Sequence, residues 1–332
     1  MTAATEYKEM FFAEAIRTAI AEEMRRDGSV FLVGEDIGLY GGAFGVTQGL
    51  LKDFSSQRVV DAPISENSIV GLAIGSSLTG LRPIVEIMYM DFILLALDQI
   101  VNKAAKLQFI HQDKLKLSLV IRTAAGAGRY YGPDHSQTFE SLLMHIPGLK
   151  VVYPSTPSDA YLLMKEAINL DSPVIFIEHK FLYGRRGRVQ LSKENPAIFG
   201  KGKVLKEGDQ LTVVSYGRMA QSCLEAIEGL KTKSDSIELI DLRTLKPLDK
   251  ELILRSVSKT KKLLVVEEDN QVCGVGAEII SLAAESLPAS SGLSVKRLSA
   301  AENPIPFSPY LEDSCFPGVE QIRVTIEEMT ER

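Results

Sequence analysis

Between residues 9 and 26 apolar positions recur at helical spacing, and the run ends in "RRDG", which predicts a helix with a clean stop. The period then changes. "SVFLVGED" (29–36) is a short continuous apolar run with a polar end, and "RVVDAP" (58–63) and "RPIVEIMYMD" (82–91) repeat it. "LKLSLVIRTAAGAG" (115–128), "LKVVYPST" (149–156) and "PVIFIEHK" (173–180) make three more. Helical stretches, such as 92–106 and 157–169, separate most of them. Continuous apolar strands alternating with helices predict a parallel sheet covered on both faces, an α/β fold. The pattern breaks over 184–204, which reads as a linker. It then resumes with strands at 210–217, 236–243, 262–269 and 294–300 and helices at 219–231, 249–257, 275–286 and from about 317. The expected organisation is a larger α/β domain over 1–190, a linker over 191–204 and a smaller α/β domain over 205–332.

Ligands of such sheets sit at the carboxyl ends of the strands. Glu35, Glu66, the "MYMDF" segment and the loop "GAGRYYGPDHSQ" all follow predicted strand ends, so polar groups of the first domain converge on one rim.

Composition narrows the partners. With 45% hydrophobic and 24% charged residues the chain has the make-up of a soluble globular protein. The net charge of −6 argues against nucleic acid, and "GRRGR" (184–188), the one basic cluster, is too short to track a phosphate backbone but could touch an acidic partner. Three dispersed cysteines suggest neither a disulfide scaffold nor a zinc site and fit a reducing, cytoplasmic setting. The start lacks the marks of a signal peptide, and no apolar run reaches the roughly 18 residues of a membrane span.

Few short motifs stand out. "CGVGAE" (273–278) is a lone G-x-G at a helix start, which reads as tight packing more readily than as a nucleotide site. Of the four histidines, His145 lies in the apolar stretch "LLMHIPGL" and reads as a core residue, whereas His135 stands in a loop beside Asp134, Ser136 and Gln137, groups that could orient it. No G-x-S-x-G elbow and no paired-histidine metal spacing occurs. Two readings stand for Glu66 in "DAPISENSIVGLAIG". Ser65 caps a helix and Glu66 complements its dipole. Alternatively, the carboxyl group faces a pocket lined by Ile64, Met88 and Phe92, where lost hydration suits it to a proton relay with a nitrogen base.

The segments "VGEDIGLYGGAFGVTQGL", "DAPISENSIVGLAIGSSLTGLRPIVEIMYMDF", "LDQIVNKAAK", "DHSQTFESLLMHIPGLKVVYPSTPSDA", "SPVIFIEHKFLYG", "DLRTLKPLD" and "GVGAEI" occur in one order along nearly the whole chain. Together they resemble the beta subunit of the thiamine-diphosphate-dependent decarboxylating component of 2-oxo-acid dehydrogenase complexes, within the transketolase-like superfamily. The resemblance implies a pyrimidine-binding parallel-sheet domain followed by a transketolase C-terminal-like domain. It implies that Glu66 hydrogen-bonds N1′ of the cofactor's aminopyrimidine, promoting loss of the thiazolium C2 proton and attack on the 2-oxo carbonyl. Ile64, Met88 and Phe92 are then the wall around that ring, and Glu35 a second acid of the rim. His135 matches the family histidine implicated in proton handling and acyl transfer to a lipoyl arm. Leu119, Ala167, Ile168, Leu170 and Ser172 resemble a segment whose backbone carbonyls hold a potassium ion.

A missing motif matters as much. Relatives bind the diphosphate through magnesium with a GDG motif and asparagines further on, and the one Gly-Asp pair here, in "EGDQL" (207–211), has neither. The resemblance therefore implies half a site, completed by an alpha subunit in an α2β2 heterotetramer that holds the magnesium. A dihydrolipoyl acyltransferase core is the further partner. Tyr130–Tyr131 and "ESLLMHIPG" depart from common family patterns near the acyl pocket. Pyruvate, acetoin and branched-chain 2-oxo acids therefore stand as alternative substrates, and "EIMYMDF" leans toward the pyruvate and acetoin enzymes. A single-chain transketolase-like enzyme would need a diphosphate domain that 332 residues do not hold. A non-catalytic assembly subunit is the reading from another class.

Overall fold

The apolar runs become the strands of two parallel-rich sheets in the computed structural model, which describes residues 6–191, 198–230 and 234–331. The chain divides into two units, Met1–Ala125 with Leu142–Phe199, and Gly126–Ser141 with Gly200–Arg332.

The first unit runs β1 (Glu6–Phe11), α1 (Phe12–Arg26), β2 (Val30–Gly34), α2 (Leu50–Phe54), β3 (Val59–Asp61), α3 (Glu66–Leu78) and β4 (Arg82–Ile87). It continues through α4 (Ala105–Ile110), β5 (Leu119–Ala125), α5 (Glu140–His145, which begins in the second unit), β6 (Lys150–Val152), α6 (Pro157–Asn169), β7 (Pro173–His179) and β8 (Arg186–Leu191). Its main sheet has the order β6-β7-β5-β4-β2-β3, every neighbour parallel. Leu32, Ile84, Val120, Val174 and Phe176 join the core built on α1 and α6. The intervening Val33, Val85, Ile121 and Ile175 are equally buried on the opposite face. That double burial is why these strands carry no polar alternation. Helix α6 starts where Pro157 occupies its first turn and the Thr156 hydroxyl accepts from the Asp159 amide at 3.1 Å.

Three buried charges interrupt this apolar sheet. Glu86 on β4 and Arg122 on β5 are register partners, and Glu178 lies on β7. The Arg122 guanidinium donates Nε to Glu178 Oε1 at 2.8 Å and Nη2 to Glu178 Oε2 at 2.6 Å, and Nη1 reaches Glu86 Oε2. The Tyr183 hydroxyl adds a bond to Glu178 at 2.8 Å. Burial and the Glu178 charge push the Tyr183 hydroxyl well above its ordinary pKa.

The second unit runs β9 (Lys203–Lys206), β10 (Leu211–Ser215), α7 (Gly217–Glu228), β11 (Ile237–Asp241), β12 (Thr244–Lys246), α8 (Lys250–Thr260), β13 (Lys262–Asn270), α9 (Val275–Ser286), β14 (Ser294–Ala300), α10 (Pro309–Ser314) and α11 (Val319–Glu331). Its sheet has the order β14-β13-β10-β11-β9, with β9 alone antiparallel to its neighbour. Val213, Leu239 and Leu264 pack with Met219, Ile227, Ile322 and Ile326 of α7 and α11.

Several expectations change. Residues 184–191 are not linker: β8 pairs antiparallel with β1, Arg186 opposite Phe11 and Arg188 opposite Glu9. The basic cluster is absorbed there, since the Arg186 guanidinium lies 4.8 Å from the Phe11 ring centroid and that of Arg188 3.9 Å from Tyr7. The division between units falls at Phe199/Gly200, with β9 starting at Lys203, while 192–197 of the expected linker lie outside the described residues. The loop Gly126–Ser141 goes with the second unit. The expected helix 92–106 is a 3-10 segment (Met90–Ala96) and a wide π segment (Gln99–Ala104) leading into α4. His145 is exposed rather than packed, because α5 is only a turn and a half long and buries Glu140 and Leu143, leaving the last position outside. Ser65 does not cap α3 either: its hydroxyl donates to Ser68 Oγ at 2.8 Å and reaches no helix amide.

The Gly-x-Gly of "CGVGAE" is explained by a side chain. A Cβ at Gly276 would stand 2.7 Å from Glu267 Oε1, and Glu267 Oε2 accepts from the Gly276 amide at 2.6 Å. The N-terminus of α9 thus holds a carboxyl group of its own chain. Burial drives the Glu267 carboxyl up to about 7, against the opposing pull of Gly276 and Ser299. A carboxyl raised from 4.5 favours the folded state fully only below 4.5, and that advantage disappears as pH climbs through 7. Between those limits the second unit is expected to lose about 3 kcal/mol. Urea unfolding of Glu267→Gln should show a curve flatter with pH than the parent's; parallel curves would refute the assignment.

Candidate active site

The strand order reverses between β2 and β4, since β3 lies on one side of β2 and β4 on the other. Loops leaving the carboxyl ends of those two strands diverge and open a crevice, where ligands of open α/β sheets bind. Glu35 directly follows β2, Met88 and Phe92 follow β4, and Glu66 opens the helix that returns from β3. Topology alone therefore gathers four of the expected site residues at one edge.

Hydrogen bonds fix the rim. The Gly38 amide donates to Asp61 Oδ1 at 2.7 Å, tying the loop after β2 to the turn before α3. A side chain at Gly38 would collide with that carboxylate at 2.3 Å. Within the loop, the Thr47 hydroxyl donates to the Ile37 carbonyl at 2.8 Å, and Gly42 (φ +79°) turns the chain beside Glu86. Phe92 is anchored by a run of rings: it meets Tyr89 edge-on at 5.8 Å, Tyr89 meets Phe44 at 5.6 Å, and Phe44 stacks on Tyr183 at 4.9 Å. Tyr183 in turn bonds Glu178, so the wall of the crevice rests on the buried charge network.

Glu66 occupies the first position of α3 and is 9% exposed. No hydrogen bond or ion pair reaches its carboxylate among the described residues. The carboxylate oxygens are therefore left for an external donor. The Glu35 carboxyl is pushed above the usual carboxylate range by burial first, then by the charges of Asp36 and Glu66. The two acids therefore feel each other, and a pair of this kind discourages a second negative charge in the crevice. Met88 and Phe92 are half-buried, whereas Ile64 is 74% exposed, and Leu39 at 93% and Tyr40 in the loop after β2 are also exposed. Three large apolar side chains are thus left bare in the segments that flank the crevice.

His135 lies in the second unit, half-buried, on the loop Gly126–Ser141. Its amide donates to the Gly132 carbonyl at 3.5 Å. Asp134 is exposed and Ser136 fully buried, so the expected orienting neighbours face different surroundings. The expected potassium ligands gather where α6 ends beside the start of β5, Leu119 being the register partner of Pro173. Arg82 Nη1 donates to the Ile168 carbonyl at 2.9 Å and the Leu170 carbonyl at 3.4 Å, and the Ala167 carbonyl accepts from the Leu170 amide at 3.3 Å. Carbonyl oxygens suit a hard cation and each has a second lone pair, so the donor type fits. The nearest carboxylate, Asp171, is held below the usual range chiefly by Lys116, and also by Arg82 and Ser118.

The reading of residues alone missed Asp61, Glu86 and Arg122 as supports of this edge. A charge inside an otherwise apolar strand was the available signal.

The chain also matches known proteins. Residues 8–185 match the family described as transketolase, pyrimidine binding domain, and residues 200–322 match transketolase, C-terminal domain. The chain is 43% identical over 313 residues to the pyruvate dehydrogenase E1 component subunit beta of Cyanidium caldarium, covering 94% of this chain and 95% of that one. It is 41% identical over 305 residues to the protein of the same description from Rickettsia conorii, 92% and 93% of the two chains. It is 37% identical over 324 residues to the 2-oxoisovalerate dehydrogenase subunit beta of Bacillus subtilis, 97% and 99% of the two. A solved structure described as split gene transketolase, inactive beta4 tetramer, superposes with a TM-score of 0.75 over 96% of this chain and 98% of that one, at 22% identity.

Proposed function

The chain belongs to the beta subunits of the E1 components of 2-oxo-acid dehydrogenases, built of the two transketolase domains, and from that premise we propose that it forms half of a pyruvate-oxidising active site. The observation that carries the reading is Glu66, a nearly buried carboxylate with no protein donor at the crevice where the sheet reverses. Relatives named for pyruvate, at 41–43% identity, favour that substrate over branched-chain acids or acetoin.

Thiamine diphosphate, when bound, supplies the electron-accepting ring that makes loss of carbon dioxide feasible. The residues present fit its aminopyrimidine end. Glu66 holds a proton at ring nitrogen N1′, a charge-assisted bond that replaces the missing protein donor. Glu35, its carboxyl pushed up by burial and by the neighbouring charges of Asp36 and Glu66, is the second acid of that rim. Ile64, Met88 and Phe92 shield that end from water. His135 moves a proton during acyl transfer to a lipoyl group carried by an acyltransferase core. Nothing in the sequence supplies the GDG motif for a magnesium-bound diphosphate, so an alpha subunit contributes it in an α2β2 assembly. The bare Leu39, Tyr40 and Ile64 support a covering chain at that edge. The carbonyls of Leu119, Ala167, Ile168, Leu170 and Ser172 would hold potassium beside Arg82. The three dispersed, unpaired cysteines support a reducing, cytoplasmic setting. Among the described residues no helix is long and apolar enough to cross a membrane.

Reconstitution tests the proposal. Purified chain, alpha partner, thiamine diphosphate and magnesium should together oxidise pyruvate with an artificial electron acceptor, and neither chain should do so alone. By calorimetry the chain alone should bind the cofactor at least about a hundredfold more weakly than the assembly, because the diphosphate end finds no cation. A branched 2-oxo acid or acetoin turned over faster than pyruvate would reassign the substrate. Tight binding by the single chain would end the split-site reading. Exchanging potassium for sodium in the same assay decides whether the carbonyl cluster binds that ion.

A further inference from the structure

We propose that Glu268 and Glu312 are positioning residues for His135, clamping by two backbone amides the loop that carries it. The inference rests on the reading of His135 as the group that moves a proton in acyl transfer.

The loop "GAGRYYGPDHSQ" has an unusual backbone. Gly126, Gly128, Tyr130 and Gly132 all have positive φ, at +85°, +89°, +60° and +77°. A stretch so rich in glycine and left-handed residues samples many conformations unless something external selects one. Among the contacts that do so are three inside the second unit. The Ala127 amide donates to Glu268 Oε1 at 2.6 Å. The Gly128 amide donates to Glu312 Oε1 on α10. Gly132 lies so close under the Phe307 ring that a Cβ there would stand 2.3 Å from a ring carbon. The Gly126 amide then closes the loop on the Gln137 carbonyl at 3.3 Å. His135 sits between the Gly132 contact and that closure.

A purely structural role explains Glu312 poorly. It is 1% exposed, and its Oε2 has no hydrogen-bond partner, so the chain buries a carboxylate for a single amide bond. A neutral side chain would fill the space without the desolvation cost. Glu268 is also in an unfavourable place. Its charge helps raise the carboxyl of the fully buried Glu140 well above the usual range, after burial and Asp269. Acids crowded at one end of β13 are retained at the expense of stability, which is the pattern of groups kept for a site. The cavity of about 470 Å³ lined by Pro133, Gln137, Thr138 and Glu268 borders the same loop, leaving room on one side for a substrate group.

The test uses the reconstituted enzyme and two assays: acyl transfer to a lipoylated domain, and oxidation with an artificial acceptor. Glu312→Ala should slow acyl transfer about tenfold and oxidation far less, since losing one acceptor for a buried amide misplaces the loop by a modest free energy. Glu312→Gln keeps a carbonyl acceptor and should recover most of the rate. His135→Asn combined with Glu312→Ala should be no slower than His135→Asn alone, because the two act through one group. Hydrogen exchange at the Gly128 amide should accelerate in the alanine variant. Equal losses in both assays, or losses that multiply in the double variant, would overturn the proposal. If His135→Asn leaves acyl transfer intact, the reading of that histidine fails, and the exchange at Gly128 still decides whether the clamp exists. Should Glu312→Ala not assemble, Glu268→Ala and exchange at the Ala127 amide carry the same comparison.

Discussion

Glu66→Gln is expected to lower 2-oxo-acid oxidation by the reconstituted enzyme about a thousandfold while the subunits still assemble. The amide has the shape of the carboxylate and fills the same corner of the crevice, so packing against α3 is unchanged. It cannot carry the charge that holds a proton at a ring nitrogen. Losing a charge-assisted bond removes about 1.5–3 kcal/mol, and losing a positioned proton relay removes a further factor of about 10² to 10⁴ in rate. Stability should move the other way. The parent buries Glu66 at 9% exposure without a donor, and neutralising such a group relieves desolvation. The thermal midpoint of the assembled variant is therefore expected to equal or exceed the parent's. Rate assays and calorimetry on one preparation separate the outcomes. Oxidation retained within tenfold would favour an assembly subunit without catalytic duty, and lost assembly would make Glu66 a helix-start residue with a structural task.

Glu66 was legible because a strand end, a proline and a helix start occur within six residues, Asp61 to Glu66, and that juxtaposition survives any detail of packing. The alternation of apolar runs likewise defined the parallel sheets, since strands buried on both faces leave no other pattern. What escaped was long-range. The pairing of β8 with β1 joins segments about 180 residues apart, and its rungs are arginines over aromatic rings, which read as a polar break. Membership of the loop Gly126–Ser141 in the second unit depends on two carboxylates distant in sequence, Glu268 and Glu312. The failure at His145 is of another kind: an apolar neighbourhood in sequence does not say which face of a short helix a residue takes. Charges within β4, β5 and β7 were visible as letters, but their mutual satisfaction required the register of three strands.

That satisfaction predicts the largest loss of stability in the molecule. Arg122→Met should lower the stability of the first unit by about 4 kcal/mol, the typical cost of removing one partner from a buried ion pair. The side chain is 2% exposed and is the one guanidinium between Glu86 and Glu178. Methionine fills much of the volume, so the cost comes from two carboxylates left without their counter-charge rather than from a cavity. Roughly 2–4 °C of thermal midpoint per kcal/mol then gives a fall of about 10 °C. The same network carries Tyr183, on which Phe44, Tyr89 and Phe92 are stacked in turn, so the crevice wall should loosen before the unit melts. Cofactor affinity of the reconstituted enzyme is accordingly expected to fall at temperatures where the fold is still intact. Neutralising the acids as well, in Glu86→Gln/Arg122→Met/Glu178→Gln, removes the uncompensated charge and should restore most of the midpoint, since fully neutral replacements of buried ion networks are often tolerated. A triple variant no more stable than Arg122→Met would locate the loss in packing, and an Arg122→Met midpoint within a degree or two of the parent would show that the three charges do not hold the sheet edge.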